Sequence, residues 1–229
     1  MDSSSSKIKN SMKTNIYRGE EYTAICLSNK LEKFQRIEKT LPELNLNFLS
    51  GEGCPSYSYL INQAIKNSPT EKFITFGDKA FPQLIHFEKA MRLLNDGFAS
   101  VQLYCLGFCG WDKELFRIIG LFDERYIGGG LEHPDILIRM KEANIAYYES
   151  LEVPYERSPG TWPGEKAADF FHKKWISPKY EGQIDYEKRI MPEENSFFEE
   201  RKSQKTFKEY KESIILTGNT SLFNRKFIK

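Results

Sequence analysis

No stretch of the 229 residues approaches the ~20 consecutive apolar residues a helix needs to cross a bilayer, so no membrane span is expected. The opening MDSSSSKIKNSMKTN carries lysine and serine without an apolar core, so it is not read as a secretory signal. Cysteine is scarce. Cys26, Cys54, Cys105 and Cys109 lie scattered in apolar surroundings, the usage of a reducing compartment and not of a disulfide framework. Only His86, His133 and His172 could join the neighbouring Cys105 and Cys109, which argues against a structural zinc site. An excess of one charge is also lacking. Lys and Arg number 33 against 32 Asp and Glu, and the resulting net charge of +1 gives no bulk attraction to nucleic acid. These absences point to a cytoplasmic chain with neither a nucleic-acid nor a membrane partner.

What is present is enough to build a large core. Hydrophobic residues make up 40% and aromatics 14%, with 17 Phe and 12 Tyr, too apolar for a disordered chain. A globule of this length buries roughly 70% of its unfolded surface and needs no metal or disulfide to fold. Residues 1–19 are polar and are expected to be a disordered N-terminal segment. Residues 22–27 read as a buried strand, and Ser28 and Asn29 follow as cap candidates for a helix carrying Leu31, Phe34, Ile37 and Leu41. Residues 44–49 read as a second strand, residues 50–55 as a turn-rich loop, and residues 56–66 as a helix. A third strand, 72–76, runs into Gly77, Asp78 and Lys79, and Pro82 then opens a helix through Leu84, Phe87, Met91 and Leu94. Beyond it, 98–108 reads as one strand, 112–119 as a short helix, and 145–148 as a return strand. Residues 128–130 are three glycines, a hinge before a helix opened by His133 and Pro134. Residues 165–176 read as helix, ahead of a densely charged tail.

Strand and helix alternate three times in the first hundred residues, which implies a parallel sheet with covering helices. Ligands of such sheets bind beyond the carboxyl ends of the strands. Ser28, residues 51–53 and residues 77–79 therefore fall along one rim, and the second half adds Glu132 and its neighbours.

Two segments carry chemistry. Asp78 stands at a strand's carboxyl edge, where a carboxylate can hold a metal or a ribose hydroxyl; the structural alternative is a turn Asp beside a glycine. Residues 118–135 use three glycines to bring Glu132, His133 and Asp135 to a helix start, where carboxylates meet free N–H groups and a favourable dipole. There the alternative is capping by Asp135 or Glu132, with His133 an idle surface residue.

The two segments together resemble the GT-A-fold, family-2-like glycosyltransferases. Gly120-Leu-Phe-Asp-Glu-Arg-Tyr-Ile-Gly-Gly-Gly-Leu-Glu-His-Pro-Asp-Ile-Leu-Ile-Arg139 is similar to the family's Gly-Phe-Asp-Glu, glycine-rich, Glu-Asp-x-Asp-Leu, Arg stretch. The resemblance covers roughly residues 20–176 and is specific only in this middle block. It implies an α/β, GT-A-type single domain over residues 20–180. Its central, mostly parallel sheet would be flanked by helices, with a charged helical or extended tail over 181–229 packing on the domain. It implies a sugar moved from a nucleotide-diphospho-sugar donor to a glycan or other hydroxyl acceptor, with inversion, in glycan biosynthesis.

The resemblance also assigns residues. Asp78 and Lys79 would hold the donor diphosphate, with Ser28 and Glu52 near the nucleoside. A divalent cation, manganese or magnesium, would sit on Asp78. The family's acidic motif is usually Asp-x-Asp, and here it reads Gly77, Asp78 and Lys79, so the Lys79 ammonium stands in for part of the metal's charge. Glu132 or His133 would take the acceptor's proton. A helix start keeps a carboxylate ionised and weakly basic but keeps an imidazole neutral, so both remain candidates. Asp135 would anchor the acceptor or cap the helix. Trp111 is either an acceptor platform or a core aromatic. His172 reads as a solvated helical residue. The rival reading is a catalytically silent sugar- or nucleotide-binding module of the same fold, supported by the reduced acidic motif.

Overall fold

The computed structural model describes residues 12–126 and 131–156. Among them seven strands form one sheet: β1 (Asn15–Tyr17), β2 (Glu20–Ser28), β3 (Leu46–Ser50), β4 (Lys72–Gly77), β5 (Ser100–Tyr104), β6 (Phe108–Asp112) and β7 (Tyr147–Glu149). Five helices accompany them: α1 (Leu31–Thr40), α2 (Tyr57–Asn67), α3 (Leu84–Asn95), α4 (Lys113–Ile119) and α5 (Glu132–Glu142). The order across the sheet is β1-β2-β4-β6-β5-β7, and β3 pairs with β2 on the edge β1 also uses. β1 and β6 run against the other five, so the sheet is mostly parallel, as expected.

The unbroken apolar runs of the strands follow from burial on both faces. Along β2, Ile25 and Leu27 enter the core beneath α2, α4 and α5, with Ile61, Phe116 and Ile136. Ala24 and Cys26 enter the opposite core beneath α1 and α3, with Phe34, Ile37, Phe87 and Met91. Successive residues of a strand point to opposite faces, so each run feeds two layers.

Three expectations are corrected. β1 falls inside the segment expected to be disordered. Its hold is polar and so leaves no apolar signal: Asn15 accepts from the Asn45 N–H at 2.7 Å and donates to the Asn45 carbonyl at 3.0 Å. The stretch 98–108 is not one strand but β5, a turn and the first residue of β6, which runs on to Asp112 to complete a hairpin. It turns through Cys105, held at φ 40°, and the Gly107 N–H donates to the Tyr104 carbonyl at 2.7 Å. The residue before α1 is Lys30, without a side-chain cap, and Ser28 lies two residues earlier, turned to Asp78 and to the Lys30 N–H and not to the first turn of the helix. The glycines at 128–130, the helix at 165–176 with His172, and the tail at 181–229 lie outside the described residues.

Candidate functional site

The carboxyl ends of the parallel strands meet at one rim, and two clusters occupy it. The first joins β2 to the turn after β4. Ser28, the last residue of β2 and buried, donates its hydroxyl to Asp78 Oδ2 at 2.7 Å and accepts from the Lys30 N–H at 2.8 Å. The turn that presents Asp78 and Lys79 is pinned from below. The Ala80 N–H donates to the Gly77 carbonyl at 3.1 Å, and the Glu156 N–H donates to the Lys79 carbonyl at 2.8 Å. Between these elements lies a pocket of about 490 Å³, lined by Ser28, Lys30, Lys33, Gly51, Tyr57, Asp78 and Lys79 among others. Lys33 is held by Glu156 at 3.2 Å. A Cβ at Gly51 would meet the Asn29 side-chain amide, and Leu60 Cδ2 at 2.9 Å, so a larger residue there would displace both side chains. Glu52 is exposed on the loop and is not part of the pocket wall.

The second cluster gathers at the ends of β5 and β7 and the start of α5. Tyr57 bridges the two clusters: it lines the pocket, and its hydroxyl donates to the Leu106 carbonyl at 2.9 Å. Burial above all, with the Cys109 and Glu132 charges nearby, pushes its phenol well up. Glu132, the first residue of α5, is buried. His133 is half-buried, with Nε2 at 2.6 Å from Gln102 Oε1 and 3.3 Å from Glu149 Oε1. Burial lowers its pKa against the opposing pull of Glu149, which leaves the ring neutral at pH 7. Gln102 and Glu149 are register partners across β5 and β7. Cys105, His133 and Glu149 thus form a group of three metal-binding side chains whose ligand atoms all lie within 4.8 Å of one another. Beside them Tyr155 stacks on Tyr104 at 4.3 Å, over the carboxyl end of β4.

Two expected site residues turn out to be structural. Trp111 is fully buried, packed against Phe116 and Phe122, and its indole N–H donates to Thr75 Oγ1 at 2.8 Å, so no acceptor reaches its face. Asp135 is also fully buried. Its carboxylate accepts from the Tyr126 hydroxyl at 3.0 Å and pairs with Arg139 at 2.8 Å, which consumes the groups that would anchor an acceptor. Sequence reasoning missed Tyr57, Gln102 and Glu149, and weighed Cys105 only with Cys109 and the histidines as an improbable zinc site. Only their places near strand or helix ends on the rim could have marked them.

The fit of a hard cation can be judged at Asp78. A carboxylate whose oxygen is fixed by the Ser28 hydroxyl has the orientation a metal ligand needs. One carboxylate together with substrate phosphates is a usual set for magnesium or manganese. The residues present therefore fit such an ion shared with a diphosphate.

In class, this is an α/β protein with a pocket at the carboxyl edge of a mostly parallel sheet, lined in part by Lys30, Lys33, Asp78 and Lys79. No family model matches the chain, and no curated protein matches its sequence. Solved structures similar to it include a mutant Drosophila β1,4-galactosyltransferase 7 in complex with manganese, UDP-Gal and xylobiose. The identity is 10% and the TM-score 0.44, over 60% of this chain and 71% of that one. The catalytic domain of the same enzyme with xylobiose is similar at 11% identity and TM-score 0.41, over 56% of this chain and 64% of that one. No described helix is long and apolar enough to cross a membrane.

Proposed function

We propose that the chain is a glycosyltransferase that moves a sugar from a nucleotide-diphospho-sugar to a hydroxyl of a glycan acceptor, with inversion. The observation that carries this reading is the Ser28–Asp78 hydrogen bond at the wall of the 490 Å³ pocket, with Lys79 beside it and Glu132 close to Tyr57. Lys79 binds the diphosphate as a point charge, and Asp78, oriented by Ser28, would hold manganese or magnesium. Such an ion neutralises charge on the leaving diphosphate. The acceptor oxygen attacks the anomeric carbon from the face opposite the phosphate. The new C–O bond forms as the bond to phosphate breaks, the nucleoside diphosphate departs, and the hydroxyl proton passes to Glu132 or His133. Glu132 is supported by its place as the first residue of α5, near the Tyr57 that lines the pocket. His133 is supported by its neutral ring.

The test is nucleotide release by the full chain from a panel of nucleotide sugars, followed for wild type, Glu132→Gln and His133→Ala. Loss of the base lowers turnover by roughly 10²–10⁴-fold while donor binding, followed by calorimetry, survives. Normal turnover in both variants would overturn the assignment. The single carboxylate at Asp78 favours a second reading, a silent binding module, and saturable donor binding without any release would establish it.

A further inference from the structure

The sequence offers too few histidines to close a zinc site with the Cys105–Cys109 pair, and the fold does not try. Cys109 is buried and turns its thiol back on the Cys105 carbonyl. The fold instead brings Cys105 to His133 and Glu149, from the end of β5, the start of α5 and β7. We propose that Cys105, His133 and Glu149 bind a thiophilic divalent cation, zinc foremost, at a site separate from Asp78.

Geometry supports this. Tetrahedral zinc, with bonds of about 2.0–2.3 Å, places its ligand atoms roughly 3.3–3.8 Å apart. His133 Nε2 and Glu149 Oε1 already stand 3.3 Å apart, and the whole group lies within 4.8 Å, a gap closed by small side-chain rotations. Gln102, fully buried, accepts through Oε1 from the same nitrogen at 2.6 Å, a hydrogen bond that an ion on Nε2 would replace as the ring proton moves to Nδ1. The bulge between Gln102 and Tyr104, and the left-handed backbone of Cys105 at φ 40°, aim the thiol back over the strand ends. Glu149 is exposed, which gives an ion its way in. Binding on Nε2 requires the ring proton on Nδ1, and the thiol proton leaves to solvent as the thiolate forms. A set of thiolate, imidazole and carboxylate selects zinc over magnesium, which prefers oxygen throughout. For the transfer reaction, and resting on the reading above, zinc on His133 would occupy that imidazole and leave Glu132 as the base.

The experiment is cobalt(II) titration of the EDTA-treated full chain by absorption, with metal content measured after zinc loading and dialysis. We expect one retained zinc per chain, and a thiolate-to-cobalt charge-transfer band that zinc abolishes and excess magnesium does not. Cys105→Ser removes the band, and Cys54→Ser keeps it. Should Cys105→Ser fail to fold by circular dichroism, Glu149→Gln serves instead: it keeps the band but removes a ligand and so weakens cobalt binding by more than the roughly ten-fold that loss of a residue supporting a ligand costs. A band unchanged in Cys105→Ser, affinity unchanged in Glu149→Gln, or no bound cobalt would overturn the site. Cobalt binding in a chain that binds no nucleotide sugar would keep the metal site and defeat the transferase reading, and the reverse result would separate them the other way.

Discussion

Glu132 and Asp135 stand three residues apart at the start of one helix, and the fold employs them differently. Asp135 is spent on structure. Its partner Arg139 donates through Nη1 to the carbonyls of Ile119, Gly120 and Leu121 at 2.7–3.2 Å, tying the end of α4 to α5. Removing that guanidinium strands a buried charge, so Arg139→Met should cost about 3–5 kcal/mol in urea denaturation. A loss within the error of the fit would mean that the network is not closed as described. Trp111 is the second structural case. Trp111→Phe deprives the Thr75 hydroxyl of its donor and should lower stability by about 1–3 kcal/mol in the same measurement, without weakening acceptor binding. Weaker acceptor binding at unchanged stability would return Trp111 to the site.

At the scale of elements, α2 and the β5–β6 turn position the rim. Ser56 caps α2 by accepting the Tyr59 N–H at 3.1 Å, one residue before the bridging Tyr57. Ser56→Ala should cost about 1 kcal/mol, read as a lower urea midpoint. Gly107 lets the turn pass beneath the tyrosine stack. A Cβ there would lie 2.6 Å from the Tyr155 ring and 3.1 Å from the Tyr104 carbonyl. Gly107→Ala should therefore lower the thermal midpoint and shift the Tyr155 ring resonances together, and a fall in one alone would contradict the packing.

The same elements show what the sequence made legible. β2, β3, β4 and helices α1, α2, α3 and α5 could be read because apolar periodicity and turn residues mark them. The β5–β6 hairpin was hidden because both its strands are buried, so Phe98 to Phe108 reads as one apolar run with a glycine in it. β1 was hidden for the opposite reason, since asparagines hold it. Ser28, Asp78, Lys79, Glu132 and His133 were legible as strand-end or helix-start residues. Tyr57 was not, because it is set by the start of α2 over the β5–β6 turn, and the meeting of Cys105 with Glu149 was not, because only the register of β5 and β7 and the bulge bring them together.

For the whole molecule, burial sets the alkaline limit. Burial, the main cause in every case, pushes up the thiols of Cys26 and Cys109 and the phenols of Tyr22, Tyr57, Tyr126 and Tyr155, with Tyr22 reaching about 12. The unfolded chain releases these protons near the ordinary values of 9.0 and 10.0, whereas the folded chain keeps them. The unfolded state then binds fewer protons, so stability is fully present below pH 9 and falls as pH rises towards 12. Urea midpoints measured across that range should decline, and Tyr22→Phe should flatten the part between 10 and about 12. A flat profile in the wild type would show that these groups titrate freely.

On the function proposed above, a nucleotide sugar binds at the carboxyl edge of the sheet, against Ser28, Asp78 and Lys79. Amide chemical-shift mapping of the full chain, titrated with a panel of nucleotide-diphospho-sugars, tests it most directly. One donor should give saturable shifts centred on Ser28, Gly51, Asp78 and Lys79, and Asp78→Asn should weaken them. Shifts confined to the other groove, lined by Arg36, Thr40, Phe81 and Leu84, or no shifts from any donor, would contradict it.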